Sequence, residues 1–140
     1  MKKIVFVLLA LLPGISALTQ TVYSPNKNLQ LVFSVNAGGA PQYGLFFKGN
    51  EVVKNSSLGL MLKGNINLQT ALALTGSQTK TVNETWQPVL GEQKNIVNNY
   101  TELEVRLKQR GEKPVEMIVR FRLFNEGLGF RYEFLAGDFA

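Results

Sequence analysis

The chain has 140 residues, enough for one domain, with a net charge of +5 and neither cysteine nor histidine. Those two absences exclude disulfide staples, Ser/His/Asp triads, Cys/His nucleophiles and zinc sites of the usual kind. The basic residues form no patch with interleaved aromatics, so nucleic acid is not expected as a partner.

At the start, Lys2 and Lys3 precede the apolar run from Ile4 to Leu12, a break at Pro13-Gly14, and small residues at Ser16 and Ala17. This is the pattern of a secretory signal peptide, too short to cross a bilayer as a stable helix. Cleavage is expected after Ala17, giving a leader of residues 1–17, a domain of residues 18–140 and a periplasmic or secreted location. Without the leader, thirteen basic residues face ten acidic ones, a charge of +3. No cysteine follows the leader, so no lipid anchor is expected.

Beyond the leader, period-two alternation recurs and helical periodicity is nearly absent. Leu29, Leu31, Phe33 and Val35 share one face of a strand. Tyr43–Phe47 and Val52-Val53 flank Lys48-Gly49-Asn50-Glu51, which reads as a hairpin. Gly64-Asn65 closes a strand over residues 58–62. Residues 65–82 are small and polar, and they read as a long loop holding at most one short strand. Leu103, Val105 and Leu107 alternate with Glu104, Arg106 and Lys108. Val115, Met117, Val119, Phe121 and Leu123 alternate with Glu116, Arg120 and Arg122. Phe130, Tyr132 and Phe134 alternate with Arg131 and Glu133. Each set can bury one face and wet the other, as in an all-β antiparallel sandwich. The strong last strand runs into Leu135–Ala140 without a polar tail, which reads as a longer protein cut short. A sandwich stopped midway leaves strand edges open to pairing.

Candidate chemistry is sparse. Glu102, Glu104 and Glu116 occupy wet-face positions and are expected to be balanced by Arg106, Lys108 and Arg120. Two acids across a cleft could hydrolyse a glycoside, but no such pair is marked here, and no catalytic or metal residue is assigned. The segment Glu84–Lys94 holds the only tryptophan, Trp86, among hydrogen-bonding groups. Two readings stand for it: a platform stacking on a sugar ring, or a plug in the core beside Pro88. Gly127-Leu-Gly-Phe130 matches the carboxylate-binding loop of PDZ domains but reads as a hairpin turn at this place in the chain.

Several blocks resemble glycoside hydrolase family 97, and in particular the starch-utilisation α-glucosidases of Bacteroides-type bacteria. They are Ser24-Pro-Asn26 with Leu29, Gly39-Ala-Pro-Gln-Tyr43, Ser57-Leu-Gly59, Glu84-Thr-Trp-Gln-Pro-Val89 with Gly91-Glu92, Asn98–Leu103, and Arg120–Phe134. Leu90 and Thr101 depart from the family pattern, where a second tryptophan and an asparagine are expected. The resemblance implies a supersandwich-like N-terminal domain of the galactose-mutarotase type, packed on a (β/α)₈ barrel that carries the catalytic acids and most ligands of a calcium ion. It implies α-glucosides or α-galactosides as substrates, and an α-linked oligosaccharide and the barrel as partners. None of those catalytic or calcium positions matches a residue of this chain, so the chain alone is expected not to be an enzyme. Trp86, Gln87, Glu92 and Tyr100 are the candidates for contact with carbohydrate or with the barrel. The alternative is a free-standing periplasmic module that binds carbohydrate or pairs strands without catalysis.

Overall fold

The computed structural model describes residues 19–63, 66–90, 94–112 and 114–135. The leader, its cleavage point, Glu92 and residues 136–140 lie outside the described residues. Among the described residues there are ten strands: β1 (Thr19–Tyr23), β2 (Leu29–Val35), β3 (Pro41–Phe47), β4 (Asn50–Ser57), β5 (Met61–Leu62), β6 (Ile66–Asn67), β7 (Leu72–Trp86), β8 (Ile96–Gln109), β9 (Glu116–Phe124) and β10 (Leu128–Phe134). They form two four-stranded antiparallel meanders, β1-β2-β3-β4 and β10-β9-β8-β7, with β5 and β6 as a small separate pair.

The expected alternations place the core. Leu29, Leu31 and Phe33 from one sheet meet Leu103, Val105, Leu107, Met117, Val119, Phe121 and Leu123 from the other, all buried. Phe121 sits at the centre of an aromatic cluster. Its ring lies 5.8 Å from Phe33, 6.2 Å from Tyr43 and 5.7 Å from Phe130, so it touches both sheets.

Turn chemistry sets the strand connections. Lys48 and Gly49 both have positive φ, 48° and 82°, as a two-residue type I′ hairpin turn requires. Ser24 closes the β1–β2 turn, its hydroxyl accepting from Leu29 N at 3.0 Å and donating to Asn26 Oδ1 at 2.8 Å. Asn26 N then donates to Asn125 Oδ1 at 3.0 Å, which ties this turn to the β9–β10 turn. Phe124 N donates to Gly127 O at 2.8 Å, so Gly127 belongs to a hairpin turn and not to a carboxylate-binding loop.

Two glycines act at crossings between elements. Gly39 has φ 75°, and a Cβ there would lie 2.6 Å from Leu72 N. Gly59 has φ 127°, and a Cβ would lie 2.3 Å from Leu68 O. No side chain fits at either position. Gly59 N also donates to the Tyr132 hydroxyl at 3.0 Å, which fastens the segment after β4 to β10.

Two sequence expectations are corrected. Residues 65–82 are not a long loop: β6 and most of β7 run through them. Leu72 is fully buried, Ala71 N and Leu72 N are held by Gly38 O and Gly39 O, and the rest of β7 pairs with β8. Its Thr, Ser and Gln residues are polar because this edge strand is exposed, and polarity alone imitates a loop. Conversely, residues 58–60 are not strand, and only Met61–Leu62 pair.

Candidate functional site

The chemistry-bearing residues collect on the outer face of the sheet β10-β9-β8-β7. Register decides which ones meet. Glu102 lies between Lys80 on β7 and Arg122 on β9, and Glu104 lies between Gln78 and Arg120. Arg131 on β10 is opposite Arg120.

The result is an ionic lattice. Glu102 accepts from Lys80 Nζ at 3.0 Å, Arg120 Nη1 at 2.8 Å and Arg122 Nε at 2.8 Å. Arg120 also reaches Glu104 at 2.7 Å and Glu133 at 2.8 Å, and Arg131 reaches Glu133 at 2.6 Å. Arg106 holds Glu104, and Lys108 holds Glu116. The expected balancing of acids by Arg106, Lys108 and Arg120 is therefore present. Burial is the correction: Glu102 is only 2% exposed and Glu104 8%, because long basic side chains pave the face over them.

These contacts set the protonation states. Burial pushes the Glu102 carboxyl up, but hydrogen bonds from Lys80, Arg122 and Arg120 together outweigh it and hold the group at about 2. The Arg120 hydrogen bond is the chief cause holding Glu133 at about 2, with Arg131 adding to it against burial. Arg120 is raised above the ordinary arginine value, first by Glu133 and then by Glu102, against desolvation. All three stay charged at neutral pH, so none of these three is poised to exchange a proton there.

Of the sequence candidates, Trp86 and Tyr100 fall along this same face. Trp86, Glu84, Val82 and Lys80 alternate down β7, opposite Ile96, Asn98, Tyr100 and Glu102. β9 begins to pair at Tyr100, so Asn83–Trp86 and Ile96–Asn99 form a two-stranded arm beyond the sandwich. Trp86 is 47% exposed near the arm's end, which overturns the core-plug reading. Val97, on the opposite face of the arm, and Val89 and Leu90, beyond the end of β7, are exposed as well. Gln87 Nε2 donates to Asn95 Oδ1 at 2.9 Å, bracing the base of the tip. Tyr100 is separate from that group. Its ring is buried, 5.1 Å from Phe124 and 4.9 Å below the Arg122 guanidinium. It lies four residues along the strand from the Trp86 row, roughly 13 Å at the rise of a β-strand. Glu92 lies outside the described residues.

Sequence reasoning did not single out Glu102, Arg122, Arg131 and Glu133 as one cluster. The available signal was acids and bases at alternate positions on three successive strands. Among the described residues, no group of three or more acidic residues is arranged to hold a metal ion, so no step is assigned to calcium on this chain. No helix among them is long and apolar enough to cross a membrane.

The model of the family described as Glycosyl-hydrolase 97 N-terminal matches residues 22–139. A retaining alpha-galactosidase of Bacteroides thetaiotaomicron is 26% identical over 135 residues, covering 94% of this chain and 19% of that protein. A family 97 glycoside hydrolase from Pseudoalteromonas sp. strain K8, solved in complexes with panose and with acarbose, superposes with a TM-score of 0.77. It is 32% identical, and the match covers 84% of this chain and 18% of the enzyme. A beta-arabinopyranosidase structure superposes with a TM-score of 0.71 at 25% identity, covering 81% of this chain and 18% of that one. The chain thus spans about a fifth of the length of these relatives, and the catalytic remainder has no counterpart among its residues. By the family match and the sandwich together, this chain belongs to the glycosyl-hydrolase 97 N-terminal family.

Proposed function

We infer that the chain serves as the N-terminal β-sandwich of an exported α-glycosidase, packing on a catalytic barrel and touching carbohydrate through the β7–β8 arm. The observation that carries this is the arm itself. It leaves a sandwich of family 97 shape and carries exposed apolar groups, Trp86 on one face, Val97 on the other, and Val89 and Leu90 beyond β7. A two-stranded ribbon is marginally stable alone in water, and exposed apolar groups of this size favour a covering surface. An indole beside the Gln87 amide also suits a sugar ring, with the apolar face stacking and the amide meeting hydroxyls.

The relatives named above act, by name, on different glycosides. An α-linked oligosaccharide is the proposed partner of this chain. Export through the leader to the periplasm or medium belongs to the same proposal, as does a calcium ion held outside these residues.

The test is a chimaera of the Pseudoalteromonas enzyme in which residues 19–135 replace the matched region, assayed on panose. Hydrolysis is expected, with KM raised several-fold by Trp86→Ala and kcat little changed. A chimaera that is folded and active but indifferent to Trp86→Ala removes the arm from the proposal. The free-standing reading rests on the same tryptophan. It requires calorimetric binding of panose to the 140-residue chain alone, lost in Trp86→Ala.

A further inference from the structure

A hollow opens on the outer face of β9 and β10, away from the arm, with a volume of about 280 Å³. Arg120, Arg122, Phe124, Gly129, Phe130 and Arg131 line it. Gly129 forms its floor, and a Cβ added there would meet nothing within 4 Å. Arg122 is directly opposite Gly129, and Arg131 is directly opposite Arg120. Register thus brings three guanidinium groups to one small space, where like charges on facing strands repel.

Among the described residues, the acids that pair with them do not balance them. Glu102, Glu104 and Glu133 are shared among Lys80, Arg106, Arg120, Arg122 and Arg131, which leaves two positive charges in excess. Arg120 is only 17% exposed, and its nitrogens already reach Glu102, Glu104 and Glu133. Arg122 and Arg131 differ. They are 41% and 61% exposed, and each meets its acid through Nε. A guanidinium carries five N–H donors, so both keep donors beyond the one spent on glutamate. The Arg122 plane is fixed from below by Tyr100, and Phe124 adds an apolar wall.

We propose that this hollow is a carboxylate-binding site, in which Arg122 and Arg131 clamp the anion over Gly129 and beside Phe124. A planar carboxylate matches the guanidinium fork and relieves the excess charge. It arrives either on a free uronic acid or on an acidic side chain of an apposed protein surface. The inference does not rest on the arm or on its sugar contact.

The test follows the arginine Nε–Hε signals of the 15N-labelled chain during titration. The probes are sodium D-glucuronate and the blocked peptide acetyl-Gly-Glu-Gly-amide. D-glucose, and sodium chloride at matched ionic strength, are the controls. Saturable shifts at Arg122 and Arg131 are expected with both carboxylates and with neither control. Arg131→Gln weakens affinity about tenfold, the loss of one charge-assisted hydrogen bond. Gly129→Leu fills the floor without changing charge and abolishes saturation, while Lys54→Gln on β4 leaves affinity unaltered. If Gly129→Leu does not fold, Arg131→Gln carries the comparison. Tighter binding of glucuronate assigns the site to a free uronate, and equal or tighter binding of the peptide assigns it to an acidic side chain. Chloride acting as well as the carboxylates, absence of saturation, or full affinity in Arg131→Gln overturns the proposal.

Discussion

Glu102 shows most clearly how one residue is governed by its surroundings. Its carboxylate is nearly sealed from water and is stable there because Lys80, Arg120 and Arg122 each donate to it. Glu102→Gln keeps the shape but removes the charge those three cations face. The expected cost is about 3 kcal/mol of folding stability, since breaking a buried pair leaves uncompensated charge. Urea denaturation of the variant beside the parent chain measures it. The same carboxylate dictates an acid response. Glu102 and Glu133 are held near 2 when folded, against an ordinary value of 4.5, so the unfolded chain binds more protons below that value. Their stabilisation is complete above about pH 4.5 and is lost as pH falls toward 2. For Glu102 alone the loss is about 3 kcal/mol, because each tenfold change in proton affinity is worth about 1.4 kcal/mol. Thermal melts from pH 6 down to pH 2 check this, and Glu102→Gln should flatten the profile over that window.

At the scale of elements, β7 and β8 are the exceptional pair. With 15 and 14 residues they are much longer than their neighbours, and the excess is the arm. Within the sandwich, β8 pairs on both sides and its residues from Tyr100 to Val105 are buried. Past Tyr100 only two strands remain. The amides of Asn83–Trp86 and Ile96–Asn99 should therefore exchange with solvent far faster than those of Leu103–Leu107, as hydrogen-exchange NMR would record. By the same reasoning Trp86→Ala should change folding stability by less than about 0.5 kcal/mol, because the indole packs on nothing in the core. A loss of several kcal/mol in that variant would mean that the arm is part of the cooperative fold.

For the molecule as a whole, the two sheets are sequential meanders held together by the core between them and by hydrogen bonds such as Asn26 N to Asn125 Oδ1 and Gly59 N to the Tyr132 hydroxyl. Phe121 joins them, meeting Phe33 and Tyr43 from one sheet and Phe130 from its own. Phe121→Ala should cost about 3–5 kcal/mol through lost burial and the cavity left behind. The signals of both sheets should fall in one transition. Separate melting of near-ultraviolet and far-ultraviolet circular dichroism signals would instead mean that unfolding is not a single two-state transition.

The amino-acid sequence by itself determined the all-β class, the inward residues of β2, β8, β9 and β10, and the hairpins at Lys48-Gly49 and Asn125–Gly127. Alternation and turn residues act over a few positions, so neighbouring residues suffice to read them. The blocks resembling family 97 also lie in the sequence, but their structural reasons do not. Gly39 and Gly59 are required by the backbones of Leu72 and Leu68, and Ser24-Pro-Asn26 by a turn tied to Asn125. The polar strand β7 was hidden because an exposed edge strand has the composition of a loop. Only the tertiary structure decided that Glu102 is buried, that Trp86 stands outside the core, and that Arg122 and Arg131 share a hollow over Gly129. The burial of Glu102 and the hollow depend on the register between neighbouring strands, and a shift of one residue would turn those side chains to the opposite face.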